Sequence, residues 1–291
     1  MNPMIELKNI SLFKLYRKSY LLAFSFFLFS PFITNIKAQG NLLVTPKRVI
    51  FDGSKRSEEL NLANTGKDSA TYLISFIQIK MREDGIFEQI EKPDSTLQIA
   101  SNNLRFFPRS VTLAPGEAQS VRVQIKNALA LSDGEYRSHL YFRGIPNNGA
   151  LGDETTSKDS SISVKIIPIF GLSMPIIIRK GDPIIHTELL DMALDLSIME
   201  EPILKMAIKR TGNISCYGDI AINHISNDGG ITRVSTVKGL SVYLPNEKRN
   251  LIVKLDNSKT IDWYSGTLQA VYTDNEKPSV VLAESKITLK K

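Results

Sequence analysis

The sequence predicts an all-β protein built as two immunoglobulin-like β-sandwiches behind a secretory leader. Three observations carry this. Beyond residue 41 the chain is a succession of short apolar runs that alternate with a period of two, separated by turn residues, and the first half holds no apolar run with a helical period. At Lys180-Gly181-Asp182-Pro183 the pattern halts at a joint where Gly and Pro fix a bend, then starts over. And 291 residues are too many for one small sandwich but suit two domains and a leader. The expected organisation is a signal peptide over 1–38, a first sandwich over 39–178 and a second over 179–291.

The leader comes first. Lys8, Lys14, Arg17 and Lys18 precede the apolar run YLLAFSFFLFSPFI at 20–33. That run is short, and Ser25, Ser30 and Pro31 break it, so export with cleavage after Ala38 is expected rather than a membrane span; an uncleaved anchor is the alternative. Five of the 36 bases and one of the 30 acids fall within 1–38, leaving 31 against 29, a net charge near +2. The basic character of the whole chain therefore gives no ground for nucleic-acid binding. The sole cysteine, Cys216, excludes an intrachain disulfide and stands too far from Ala38 to carry a lipid there, a pattern at home in a bacterial periplasm.

The first sandwich is read from strands at 43–51, closed by Asp52-Gly53, at 59–64, turned by Asn64-Thr65-Gly66, and at 72–81, rich in β-branched and aromatic residues. Residues 111–113 lead into Ala114-Pro115-Gly116, Val121, Val123 and Ile125 alternate, and 135–143 puts Tyr136, Leu140 and Phe142 on one face. Its last strand lies in SISVKIIPIFGLSMPIIIR, residues 161–179, after a polar loop. Ile162, Val164 and Ile166 share one face; Pro168 removes a ladder donor, which marks an edge or a bulge. An apolar edge strand is a hazard that proteins either blunt or use. The second sandwich is read from 190–196, 204–208, 219–225, 240–244, 251–255, 267–272 and 280–282, with 192–199 open to a short helix instead.

Chemistry for catalysis is not found. His139, His186 and His224 have no His or Cys at ligand spacing, so no metal and no cofactor is expected, and each reads as a structural or surface histidine. Gly66-Lys67 falls short of a phosphate loop because Asp68 follows where Ser or Thr is needed. There is no G-x-S-x-G elbow. The expectation is a binding protein, not an enzyme. Two features favour binding. One is the apolar edge at Ile162, Val164 and Ile166, which pattern alone reads equally as core. The other is Arg48 and Lys165, cations set within apolar strands; if they converge between the domains they can hold a carboxylate, and otherwise they are surface charges.

Arg48-Val49-Ile50-Phe51-Asp52-Gly53, the strand ending at Asn64, Leu113-Ala114-Pro115-Gly116-Glu117, Val121-Arg122-Val123, Gly134-Glu135-Tyr136-Arg137 and Tyr141-Phe142-Arg143-Gly144-Ile145-Pro146 resemble the N-terminal domain of the PapD-like periplasmic pilus-assembly chaperones. Gly212-Asn213 and Tyr217-Gly218-Asp219-Ile220 resemble elements of its C-terminal domain, and IIPIFGLSMPIII is closer to the archaic branch. The resemblance implies two sandwiches set as a boomerang in the periplasm of a Gram-negative bacterium, folding and capping pilin or fimbrial subunits before assembly at an outer-membrane usher, with no nucleic acid and no membrane insertion after signal cleavage. It implies that Arg48 and Lys165 anchor the subunit's C-terminal carboxylate, while Ile162, Val164 and Ile166 are donated to the groove of a subunit lacking its last strand. A secreted tandem-sandwich adhesion or structural module is the alternative.

Overall fold

The computed structural model describes residues 42–92, 96–126, 131–145, 169–198, 201–257 and 261–290. Seventeen strands and a single 3-10 turn make up the regular structure among them.

The run expected as one strand at 43–51 is two. β1 (Leu42–Thr45) pairs antiparallel with β3 (Ser57–Asn64), while β2 (Val49–Phe51) pairs in parallel with β10 (Gly171–Lys180) in a different sheet. Pro46 has no N–H to give to a ladder, so pairing ends beside it. Lys47 and Arg48 form the switch between the sheets. β3 alternates as read, with Leu60 and Leu62 buried. It ends on Asn64, whose buried amide donates to the carbonyls of Asp68 and Leu113 and whose oxygen accepts from the Gly66 N–H, so the side chain fixes the turn.

One sheet of the first sandwich runs β1-β3-β8-β6, with β6 at Leu104–Phe107 and β8 at Ala118–Ile125. The other runs β2-β10-β9-β4-β5, with β4 at Ala70–Met81, β5 at Phe87–Ile90, β9 at Gly134–Ile145, and β7 (Ser110–Leu113) beside the first half of β4. Between them Phe51, Leu60, Leu113, Val121, Leu140, Phe142 and Ile176 are buried, and Phe76 meets Phe106 edge-on at 5.1 Å. Strands β5 and β6 escaped the sequence reading: β5 is a largely exposed four-residue strand without apolar alternation.

In the second sandwich, β11 (Ile185–Asp195), β12 (Ile203–Gly212) and β15 (Lys248–Lys254) form one sheet. β14 (Ile231–Val242), β13 (Cys216–Ile225), β16 (Thr267–Asp274) and β17 (Val281–Thr288) form the other. Leu204, Ile208, Ile220, Ile222, Val242, Leu268 and Tyr272 fill the space between, and the Tyr272 hydroxyl donates to the Leu240 carbonyl at 2.9 Å. The segment open to a helix from 192 is strand through Asp195. Its alternation is broken by a bulge between Leu190 and Ala193, where Asp191 takes a φ of 56°. The bulge changes the inward parity: Leu189 is buried before it, and Met192 and Leu194 pack on the core after it. Gly212 (φ 104°) closes β12 at the joint, where a Cβ would stand 2.1 Å from the Ile184 carbonyl oxygen, so no other residue fits.

The outward face of the β2-β10-β9-β4 sheet is not left to solvent. Met81 and Ile177 belong to the second sandwich's core cluster, with Ile50 packed against it. Each of the two fully buried side chains contributes about 1.5–3 kcal/mol by area.

Candidate carboxylate-binding cleft

Arg48 leaves the sheet-switching corner and lays its guanidinium over the Tyr217 ring from β13, 4.2 Å from the centroid, with Tyr243 at 5.8 Å. All three of its guanidinium nitrogens are shut off from solvent without a hydrogen-bond partner. Two other enclosed guanidiniums are satisfied, and Arg137 and Arg249 each leave only one nitrogen open. Arg210 donates to the carbonyls of Asn246, Gly212 and Ile214, and Arg179 pairs with Glu135 at 2.9 Å and donates to Ser215. The rings under Arg48 return part of its desolvation cost, typically 0.5–2 kcal/mol, but a ring face takes up none of its N–H donors. A planar cation with its donors free is suited to an incoming carboxylate.

A cavity of about 260 Å³ adjoins it, lined by Lys47, Arg48, Phe87, His139, Ser173 and Pro175 from the first sandwich and Tyr217, Ser241 and Tyr243 from the second. His139 on β9 is 4% exposed, touches Phe87 edge-on, and has no partner for Nδ1. Arg137, two residues earlier on the same strand, lies 4.0 Å over the Tyr243 ring; its Nη2 donates to the Ile79 carbonyl and its Nη1 has no partner. Among the described residues no group of three or more His, Cys, Asp or Glu is placed to hold a metal ion.

Burial, and then the charge of Arg137, lowers the His139 imidazole from an ordinary value of 6.5 to about 3. Arg48 and Lys47 face the same cavity, and among the described residues no carboxylate lines it. Unfolded, the same histidine titrates near 6.5, so between about pH 6.5 and 3 the unfolded chain binds a proton that the folded chain refuses. Its contribution to stability is full above pH 6.5 and is lost as pH falls through that window, by about 1.4 kcal/mol per pH unit at the steepest. Urea midpoints from pH 7.5 to 4 should fall more steeply for the wild type than for His139→Leu. Equal slopes would show that the ring is protonated at little cost.

The last strand of the first sandwich borders this cleft. β10 pairs with β9 from Gly171 to Lys180, but β2 joins its other side only at Ile176–Ile178. From Gly171 to Pro175 that edge has no strand partner among the described residues. Phe170 and Leu172 are 53% and 36% exposed, and both line a cavity of about 340 Å³ with Leu42, Tyr72 and Phe142, while Met174 on the same face is buried. The donor residues read from the sequence, Ile162, Val164 and Ile166, and the second cation, Lys165, lie outside the described residues. The described residues carry the same alternation at Phe170, Leu172 and Met174, eight residues further on; the sequence reading stopped at Pro168 and passed it over. No lysine of β10 lines the cleft: Lys180, at the strand's far end, donates to the Leu131 carbonyl.

No protein-family model matches the sequence, and no curated protein matches it. The solved structures it resembles include pilus and fimbrial chaperones. They include a chain of the CsuC–CsuE chaperone–tip adhesion subunit complex from archaic chaperone-usher Csu pili of Acinetobacter baumannii, at 13% identity, covering 86% of this chain and 98% of that one, TM-score 0.42. They also include the E. coli chaperone DraB, at 11% identity, covering 87% and 98%, TM-score 0.42, and the CupB2 chaperone of Pseudomonas aeruginosa, at 11% identity, covering 86% and 100%, TM-score 0.40.

Proposed function

We propose that this chain is a periplasmic chaperone that holds fimbrial subunits by lending them a strand and gripping their C-terminal carboxylate. The observation that carries this reading is the pairing of two unfinished features at one place. An arginine with no hydrogen-bond partner lines a cleft, and the neighbouring edge strand has partly exposed apolar side chains and, among the described residues, no strand partner from Gly171 to Pro175.

In this reading the subunit's terminal carboxylate enters the cleft and turns the Arg48 fork from the tyrosine rings. No fixed hydrogen bond breaks when it does so. The subunit's unfinished sheet then takes the edge of β10 as its missing strand. Backbone bonds supply affinity and alternate side chains fill pockets. Phe170 and Leu172 begin that stripe, and Ile162, Val164 and Ile166 extend it upstream; each aliphatic side chain fully buried in the groove is worth about 1.5–3 kcal/mol. Lys165 is proposed as a further cation for the carboxylate. The edge is thus one that needs an occupant, and the exported leader places it where subunits pass on their way to an usher.

The test is purification of the tagged mature chain from the periplasm of cells making fimbriae, with mass spectrometry of what co-elutes. A stoichiometric fimbrial subunit is expected. Val164→Asp combined with Leu172→Asp should reduce its recovery at least tenfold, while far-UV circular dichroism of the chaperone stays unchanged. Recovery of a clean monomer by the wild type, or equal recovery of the subunit by the double variant, overturns the reading.

A further inference from the structure

Resting on that reading, the geometry points to His139 as the second polar contact of the carboxylate pocket: its Nδ1–H donates to one oxygen while Arg48 takes the other.

The argument begins with register. Pro175 pairs with His139 across β9 and β10, and Ile176 pairs with Val49 across β10 and β2. Arg48, Pro175 and His139 therefore stand in one row across three neighbouring strands. Adjacent strands lie about 4.8 Å apart, which separates the outer two backbones by roughly 10 Å. The residue between them is a proline, with no N–H to offer and a compact ring that leaves space above it. Arg48 and His139 both line the cavity over that row, and Tyr217, Ser241 and Tyr243 of the second sandwich line it from the other side.

Each of the two groups is incomplete in the same way. The guanidinium lacks an acceptor for its three nitrogens, and the imidazole lacks a partner for Nδ1. His139 is as buried as a core residue, yet the surrounding core satisfies none of that atom's bonding. Buried polar atoms left open on a shared cavity mark a place for a ligand that brings acceptors. A carboxylate brings two oxygens with about four lone-pair sites, enough for both groups.

A neutral histidine also suits the electrostatics better than a second fixed cation would. Arg137 stands two residues away on β9 and, like Arg48, rests on the Tyr243 ring. A lysine or arginine at position 139 would crowd a third charge against these two in the empty cleft. An imidazole supplies a donor without that repulsion, and it selects a carboxylate over a carboxamide only in concert with Arg48.

The probe is N-acetylglycine, a minimal chain terminus, compared with N-acetylglycinamide, titrated into the mature protein and followed by NMR. The wild type should bind the acid at least tenfold more tightly than the amide, and the acid should shift the His139 Nδ1 resonance. His139→Leu should weaken acid binding five- to tenfold and leave the amide unchanged. His139→Asn, which puts an N–H donor near the position of Nδ1, should recover most of the loss. If His139→Leu, or a Nδ1 resonance that the acid leaves unmoved, shows no role for the ring while Arg48→Ala abolishes the acid preference, the inference is overturned and the carboxylate reading stands. If the wild type does not distinguish acid from amide, the carboxylate reading falls and takes the inference with it.

Discussion

Replacing Arg48 with alanine is expected to separate stability from binding. For folding, the side chain is a burden: its guanidinium is withdrawn from water and recovers only ring contacts from Tyr217 and Tyr243. Removing an enclosed charge that no acceptor meets should leave the urea midpoint unchanged or raise it. For binding, the same side chain is the proposed anchor. Truncating one member of a buried, hydrogen-bonded charge pair costs about 2–5 kcal/mol, roughly 30- to 4,000-fold in subunit affinity. Arg48→Lys should recover only part, since an ammonium keeps the charge but not the planar fork. Equilibrium denaturation and subunit binding on the same three proteins settle the matter. A variant that loses stability in step with affinity would make Arg48 an ordinary structural residue.

Arg48 was legible in the sequence because a cation interrupting an apolar run demands an explanation. His139 was not, although it lies in an equally clear strand. In EYRSHLYFR the alternation assigns Tyr136, Leu140 and Phe142 to the core, which leaves Arg137 and His139 on the face that would meet water in a lone sandwich. The second sandwich covers that face, so Ser138, His139 and Leu140 are buried in succession. Periodicity reports which face a strand turns to its own sheet's core; it carries no information about a second body docked on the other side. The division of 43–51 was missed for a related reason. Read as one strand across Pro46, the run in fact changes its inward parity there, from Val44 to Val49 and Phe51, as the hydrogen-bond partner changes from β3 to β10. The alternation of Leu190, Met192, Leu194 and Leu196 looked uniform, yet the bulge at Asp191 means that Leu189, not Leu190, points inward before it.

The cleft is made from both sandwiches, so its shape depends on what ties them, and one carboxylate is central to that. Glu135 on β9 accepts from Arg179 Nε at 2.9 Å and, on the same oxygen, from the Ser215 N–H of the second sandwich at 3.0 Å. Arg179 completes the loop by donating from Nη2 to the Ser215 carbonyl. With side-chain exposures of 1% for Glu135 and 21% for Arg179, this pair is far from the solvated surface bridges whose loss is hard to measure. Glu135→Ala strips the guanidinium of its counter-charge and leaves the Ser215 N–H without an acceptor, so a loss of about 3–5 kcal/mol is expected. Glu135→Leu with Arg179→Met should recover much of it, because removing both charges also removes the cost of burying them. Urea denaturation should show the lower midpoint in Glu135→Ala, and acid-probe binding at Arg48 should weaken in that variant although Glu135 does not line the cleft. The double variant distinguishes the causes: restored stability with binding still weak would assign the pair to setting the angle of the cleft, whereas stability and binding restored together would assign it to holding the two sandwiches in place.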